Sequence, residues 1–186
     1  MPRPVISSDL ATALPPLPSV ALRPPEPEDR DAFITAMAAS AELHRPWLTP
    51  PVTAPEFDAW LTRARRADFD ANLAVRPEDG AIVGYLNVSQ IVRGPLQSAF
   101  LGYGGVAAWS GVGYMTAALR LVLERAFTDL GLHRLEANVQ PANHASIALV
   151  ERCGFVREGF SERYLKIGGH WRDHIRFAIR AEQWGS

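Results

Sequence analysis

Two glycines stand immediately before the longest predicted helix, in the segment Ser110-Gly111-Val112-Gly113-Tyr114-Met115. The first turn of a helix has backbone N–H groups without acceptors and the positive end of the helix dipole. Glycines at this point let an anion approach the backbone without meeting a Cβ atom, so the segment suits a phosphate. It is neither a P-loop, which needs Gly-Lys-Ser/Thr, nor the dinucleotide fingerprint, which needs three spaced glycines. Taken alone, the segment also fits an ordinary tight turn.

Asn143 and Ser146 mark the start of a second predicted helix, which follows a short strand. Asn is a favoured N-cap residue, and Ser146 falls in the first turn, where hydroxyl groups commonly cap backbone N–H groups. This capping role holds whether or not a ligand binds at the helix end.

Hydrophobic patterns divide the chain into an ordered set of helices and strands. Apolar residues at helical spacing predict helices, and β-branched and aromatic runs bounded by Gly and Pro predict strands. The predicted helices span 26–39, 56–70, 112–130 and 143–153, and the predicted strands lie at 20–22 and within 73–77, 81–92, 97–106, 133–139, 156–167 and 171–179. The helix over 112–130 is the clearest, because its apolar residues form one stripe. This order predicts an α/β domain with a mixed sheet and no internal repeat.

The composition is that of an ordinary globular protein. The 186 residues are 47% apolar and 21% charged, and 19 Lys and Arg nearly balance 20 Asp and Glu. Phosphate neutralisation needs a concentrated basic surface, so this balance argues against nucleic acid as a direct partner. The single cysteine, Cys153, excludes an internal disulfide and a cysteine-based zinc site. We expect no metal, and a monomer or homodimer.

The first part of the chain is rich in proline, since eight of the 15 prolines fall within residues 1–27. Proline blocks helices and central strands, so we expect an extended lead-in over 1–18 and one domain over 19–184. The N-terminus lacks the apolar region of a signal peptide, and no run approaches the roughly 18 apolar residues of a spanning helix. We therefore expect a cytoplasmic protein that does not enter a membrane.

Several short motifs lie at and beyond the glycine segment at regular spacing. They are Gly113-Tyr114-Met115, Asn143-His144-Ala145-Ser146, Gly154-Phe155, Glu158-Gly159 and Trp171-Arg172-Asp173-His174. In order and spacing they resemble the GNAT superfamily of N-acetyltransferases, above all the RimJ/RimL type that acetylates the N-terminal alanine of ribosomal proteins. The similarity is densest from 101 to 184, and Leu22-Arg23-Pro24 and Arg45-Pro46-Trp47-Leu48 extend it more weakly toward the N-terminus.

The resemblance implies a fold, a cosubstrate and a binding site. The fold would be a single GNAT-like α/β domain of the α+β type, with a mixed, mostly antiparallel sheet of about seven strands and about four helices. The cosubstrate would be acetyl-CoA. By resemblance, its diphosphate would bind Ser110, Gly111, Val112, Gly113, Tyr114 and Met115, its pantetheine arm would pair with Gly104, Gly105 and Val106, and its thioester end would face Asn143 and Ser146.

The resemblance also suggests groups that move protons. A neutral amine attacks the thioester, so a base must take the ammonium proton and an acid can protonate the departing thiolate. Ser146 is the acid that the resemblance suggests, and Tyr103, whose strand leads into the open edge, is a second candidate donor. The candidate bases are Glu42, His44 and Glu162.

The implied function is acetyl transfer to a primary amine in a ternary complex, with the α-amine of a protein such as a ribosomal protein as the favoured acceptor. One alternative acceptor is a small amine, such as an amino sugar, a polyamine or an antibiotic. Another alternative is a non-catalytic acyl-CoA-binding protein, because the family usually has Gln or Arg at Ser110 and often Glu at Ala117. An acidic pocket would favour a polycation, and an open groove would favour a peptide.

Overall fold

A computed structural model describes residues 16–184, so most of the predicted lead-in lies outside the described residues. The described residues form seven strands, five α-helices and three short 3-10 turns. The strands are β1 (Ala21–Arg23), β2 (Phe69–Val75), β3 (Ile82–Val92), β4 (Ser98–Gly105), β5 (Arg134–Val139), β6 (Val156–Ile167) and β7 (His170–Arg180). The helices are α1 (Arg30–Ala39), α2 (Ala41–His44), α3 (Ala54–Arg63), α4 (Tyr114–Thr128) and α5 (His144–Arg152). Within residues 16–184, none of these helices is long and apolar enough to cross a bilayer.

All seven strands join one sheet in the order β1-β2-β3-β4-β5-β7-β6. Neighbouring strands are antiparallel except β4 and β5, which are parallel because α4 forms the crossover between them. The predicted fold class, a mixed and mostly antiparallel sheet with flanking helices, is confirmed.

Helices cover both faces of the sheet. On one face α4 buries a stripe that includes Leu119, Val122 and Leu123, each fully inaccessible to solvent, and α5 packs beside it. Burying a side chain of this size contributes about 2–3 kcal/mol relative to leaving it exposed. On the other face α1 and α3 enclose a second cluster against β2 and β3. We call these the α4–α5 face and the α1–α3 face.

Aromatic rings fill the second cluster. Phe33, Phe57, Trp60 and Tyr85 lie with ring centroids 4.9–5.8 Å apart. The Trp60 Nε1–H donates to Asn87 Oδ1 at 3.0 Å, so the one polar atom of this ring is satisfied where it is buried. The cluster thereby fixes α1 and α3 on the central strands.

Glycines let α4 and the aromatic cluster approach the backbone of the sheet. A Cβ at Gly84 would lie 2.5 Å from Met115 Sδ, and one at Gly105 would lie 3.2 Å from Met115 Cγ. A Cβ at Gly104 would lie 2.6 Å from Cε1 of Tyr85, which occupies that space on the opposite face. The first turn of α4 therefore rests directly on β3 and β4.

Two sequence predictions differ from the structure between residues 40 and 70. The helix predicted over 56–70 was drawn too long, because Phe69 and Asp70 belong to β2 and pair with β3. Asp70 also accepts from Arg125 of α4 at 2.8 Å, a contact that the local sequence does not reveal. The helix α2 was not predicted, since one turn of four residues carries no measurable period.

Candidate active site

A gap opens in the sheet between β4 and β5. Their pairing ends at Leu101 and Ala137, although both strands continue beyond those residues. On its other edge β4 stays paired with β3, and Val106 N donates to Val83 O at 2.9 Å. Backbone groups alternate along a strand, so the groups of Tyr103 and Gly105 face the gap. The free edge of β4 can therefore bind an extended, amide-containing ligand.

A cavity of about 1230 Å³ occupies this gap and reaches both faces of the sheet. Tyr103 and Ser146 line it from the α4–α5 face. The register of β4, β5 and β7 places Phe100, Asn138 and His174 on the α1–α3 face of the same cavity. Its wall also includes all the residues for which coenzyme contacts were predicted, namely Gly104, Gly105, Val106, Ser110, Gly111, Val112, Gly113, Tyr114, Met115, Asn143 and Ser146.

The glycine segment forms one end of the cavity. Gly111 and Gly113 have φ angles of +79° and +97°, in the left-handed region that favours glycine. The first intrahelical bond of α4 runs from Ala117 N to Gly113 O, so the N–H groups of residues 113–116 have no acceptor within the helix. Nothing lies within 4 Å of a Cβ built at Gly111, whereas Leu17 and Pro18 lie 3.2–3.3 Å from one at Gly113. This end has the donors and the space for an anion.

Tyr103 and Ser146 are joined by a hydrogen bond between their hydroxyl groups. Tyr103 comes from β4 and Ser146 from the first turn of α5, where Asn143 Oδ1 accepts from Ser146 N at 3.1 Å. The predicted capping role of Asn143 is therefore confirmed. Burial raises the pKa of Tyr103 to about 12, so this phenol keeps its proton at neutral pH. The pair holds a proton that can be donated toward the gap.

His44 lies at the end of α2 with its ring buried against β4. Its Nε2 is 2.8 Å from Gly105 O, and because a carbonyl can only accept, Nε2 carries the hydrogen. Its Nδ1 is enclosed and has no hydrogen-bond partner among residues 16–184. Burial lowers the pKa of His44, which is therefore neutral. This geometry makes His44 a support for the β4 edge, and the residue also lines the cavity.

The two predicted carboxylate bases lie away from the cavity. The Glu42 side chain is 91% exposed and lies 3.9 Å from Arg45. Glu162 is exposed on β6, the outermost strand. Neither residue lines the gap.

Gln140 and His174 are polar cavity residues that were not predicted as site residues. Gln140 is buried directly after β5, and its Nε2 donates to Trp47 O at 3.0 Å, which ties the loop after α2 to the gap. His174 is only 3% exposed, and its Nδ1 lies 2.9 Å from Arg172 O. His174 belongs to the Trp171-Arg172-Asp173-His174 motif, but the motif does not reveal that strand register brings this residue to the cavity.

Buried His44 and His174 make folding depend on pH. Desolvation lowers the pKa of both, partly offset by hydrogen bonds to carbonyls and, at His174, by Asp173. Above about pH 6.5 both histidines are neutral whether the chain is folded or not, so they add no pH dependence. Below that pH the unfolded chain binds protons that the folded chain does not, and stability falls.

We therefore expect the free energy of unfolding to drop between pH 7.5 and 5.5, by at most about 1.4 kcal/mol per pH unit for each histidine. Denaturant titrations at both pH values should show a smaller drop for His44→Gln than for wild type. His170→Gln is the control, because His170 is exposed. An equal drop in wild type and His44→Gln would contradict the expectation.

The parallel strand gap, the glycine segment before α4 and helices on both faces of the sheet define a fold of the GNAT type. Residues 19–156 match the family model described as acetyltransferase (GNAT) domain. The chain belongs to this acetyltransferase family.

Relatives and solved structures agree with the resemblance to the RimJ/RimL type. Probable N-acetyltransferase YjcK of Bacillus subtilis (strain 168) is 46% identical over 101 residues, 54% of this chain and 56% of that protein. Ribosomal protein uS5-alanine N-acetyltransferase of Escherichia coli (strain K12) is 37% identical over 108 residues, 58% of this chain and 56% of that protein. The matched segments thus span little more than half of each relative.

One solved structure covers more of the chain. Mycobacterium smegmatis RimJ in complex with CoA-disulfide superposes with a TM-score of 0.82 at 32% identity, over 90% of this chain and 84% of that one. A spermidine N(1)-acetyltransferase of Escherichia coli (strain K12) is 27% identical over 166 residues, 89% of this chain and 88% of that protein. The chain is therefore similar both to an enzyme whose name specifies a protein acceptor and to an enzyme whose name specifies a polyamine.

Proposed function

We propose that the protein transfers an acetyl group from acetyl-CoA to a primary amine, and that the favoured acceptor is the N-terminal α-amine of a protein such as a ribosomal protein. The observation that carries this proposal is a cavity running through the sheet at the β4–β5 gap. On the α4–α5 face the cavity contains the start of α4, which would bind an anion, and the Tyr103–Ser146 pair, which would donate a proton. On the α1–α3 face its wall is open. Two substrates can meet there from opposite faces.

The chain has groups that suit coenzyme A. The N–H groups of residues 113–116 would hold the diphosphate, and Arg152 on the cavity wall adds a positive charge. The backbone groups of Tyr103 and the N–H group of Gly105 would pair with the amides of the pantetheine arm, while Gly105 O accepts from His44. When bound, acetyl-CoA supplies a thioester as the acyl donor. The RimJ structure named above, which contains CoA-disulfide, supports this assignment.

The Tyr103–Ser146 pair would act on the departing thiolate. One hydroxyl of the pair donates to the sulfur, and the other replaces that proton along the hydrogen bond between them. The gap would also accelerate the reaction by holding the two substrates in the correct orientation.

The charge on the cavity wall favours a peptide over a polycation. Within residues 16–184 the wall is lined by apolar, aromatic and uncharged polar side chains and two histidines, together with the cation of Arg152. A polyamine would gain no ion pair from this wall. The similarity to uS5-alanine N-acetyltransferase supports a protein acceptor, whereas the similarity to the spermidine enzyme makes a polyamine the second candidate.

The test is thiol release from acetyl-CoA with Ala- and Ser-initiated peptides, spermidine and an amino sugar as acceptors. We expect peptide turnover and a fall in kcat of about tenfold for Ser146→Ala, which is below the usual effect of a general acid because a thiolate leaves readily. Ser161→Ala, which removes a hydroxyl on β6 outside the cavity, should match wild type.

The acceptors separate the competing functions. Turnover of spermidine without turnover of peptides would replace the protein acceptor with a polyamine. Tight binding of coenzyme A without turnover of any acceptor would instead indicate a binding protein that has lost catalysis.

A further inference from the structure

His174 has a free nitrogen on the α1–α3 face of the cavity. Because Arg172 O can only accept, Nδ1 of His174 carries the hydrogen of the 2.9 Å contact between them. In the neutral ring Nε2 is therefore an acceptor. Nε2 has no hydrogen-bond partner among residues 16–184. It keeps some accessible surface, so a ligand in the cavity can reach it.

A second acceptor lies on the same face. Asn138 pairs with Arg176, two residues beyond His174 on β7, so both side chains leave the sheet on the α1–α3 side. Asn138 Oδ1 is buried and finds no donor among residues 16–184. A buried acceptor without a donor is costly unless a ligand supplies an N–H group, and His174 Nε2 is a second unpaired acceptor on the same face. An amine or ammonium is a ligand of that kind.

The proton donors of the site stand on the other face. Tyr103 leaves β4 toward the α4–α5 face, where it meets Ser146, whereas His174 leaves β7 toward the α1–α3 face. The gap between β4 and β5 connects the two faces. A nucleophile approaching from the His174 side would meet a thioester positioned beside Tyr103.

We infer that His174 is the general base, taking the acceptor's proton at Nε2. The inference rests on the proposed acetyl transfer. His174 takes one proton from the ammonium, and the freed amine forms the C–N bond as the C–S bond of the thioester breaks. A second proton leaves the nitrogen to solvent as the amide forms, the Tyr103–Ser146 pair protonates the thiolate, and solvent restores both groups. Overall, an ammonium and a thioester give an amide, a thiol and one released proton.

The surroundings of His174 suit a neutral base. Its titratable neighbours are Asp173, next on β7, and Tyr164 of β6, whose ring centroid lies 6.0 Å away. Arg172 and Arg176 flank it on β7, and Gln140, which follows β5, lines the same cavity. Burial lowers the pKa of His174, so the ring is ready to accept a proton at neutral pH.

The test compares His174→Gln with His170→Gln. His170 provides a matched control, because its Nδ1 also contacts a carbonyl two residues earlier, at 2.9 Å, but it is exposed and outside the cavity. With an Ala-initiated peptide we expect kcat/KM to fall about 100-fold at pH 7 in His174→Gln and not in His170→Gln. Between pH 7 and 9 the deficit should narrow about tenfold, because an α-amine with a pKa near 8 then loses its proton in bulk water.

The outcomes separate this inference from the proposed function. A wild-type protein that turns over no amine ends the proposed function, and the inference with it. An active wild type with an equally active His174→Gln removes only the base assignment. A deficit that is the same at pH 7 and pH 9 indicates a structural role and also overturns the inference, whereas coenzyme A affinity should be equal in both variants.

Discussion

Gly111→Asp should weaken the binding of coenzyme A about 1000-fold. A carboxylate placed about 4 Å from a bound phosphate raises the free energy by roughly 4 kcal/mol at an effective dielectric constant of about 20, and each 1.4 kcal/mol is about tenfold in affinity. The fold should tolerate the change, because nothing lies within 4 Å of a Cβ at this position and Asp is among the residues that adopt positive φ. Isothermal titration calorimetry with coenzyme A measures the effect.

Gly80→Asp is the matched control for this variant. Gly80 has a φ of +72°, and a Cβ there would also meet nothing within 4 Å, but it lies in the turn before β3 and outside the cavity. Both variants should therefore lose the same small amount of stability, and only Gly111→Asp should lose affinity. An affinity within threefold of wild type for Gly111→Asp would show that the diphosphate binds elsewhere.

Gly104→Ala should destabilise the protein by about 3 kcal/mol, at the upper end for overpacking. The added methyl group would lie 2.6 Å from Cε1 of Tyr85, a ring held in place by Phe33 and Trp60. Neither the ring nor the paired strand can move without opening the aromatic cluster. Chemical denaturation monitored by circular dichroism measures the loss.

Gly102→Ala provides the comparison on the same strand and the same face. Nothing lies within 4 Å of a Cβ at Gly102, so its free energy of unfolding should stay within about 0.5 kcal/mol of wild type. Equal stability of the two variants would mean that the Tyr85 ring has room to move. In that case the aromatic cluster would not constrain β4.

Features that depend on neighbouring residues could be predicted from the sequence. The stripe of α4 is one example, and the Asn143 cap is another, because Ser146 N, its donor, is only three residues away. The glycine segment was recognisable because two glycines, Gly111 and Gly113, stand at the start of a strong helical pattern. The resemblance to a family then ordered these pieces, which is why the fold class was predicted correctly.

Features that depend on register across the sheet could not be predicted in this way. His174 reaches the cavity because β7 pairs with β5 in one alignment, and a shift of one residue would turn it to the other face. Glu42 and Glu162 were chosen for their chemistry, but their positions on an exposed turn and an outer strand depend on packing. The position of a candidate base relative to the cavity therefore could not be predicted from the local sequence.

The seating of α4 has a consequence for the substrates that the cavity can use. Met115 rests on the bare backbone at Gly84 and Gly105, so the start of α4 cannot slide along the sheet relative to the β4 edge. The glycine segment at the start of α4 and Tyr103 on β4 are thus held at one fixed separation. This separation sets the length of the substrate that can use both ends of the proposed site. An acyl thioester whose anionic group and thioester are closer together than this would reach either the glycine segment or the Tyr103–Ser146 pair, but not both.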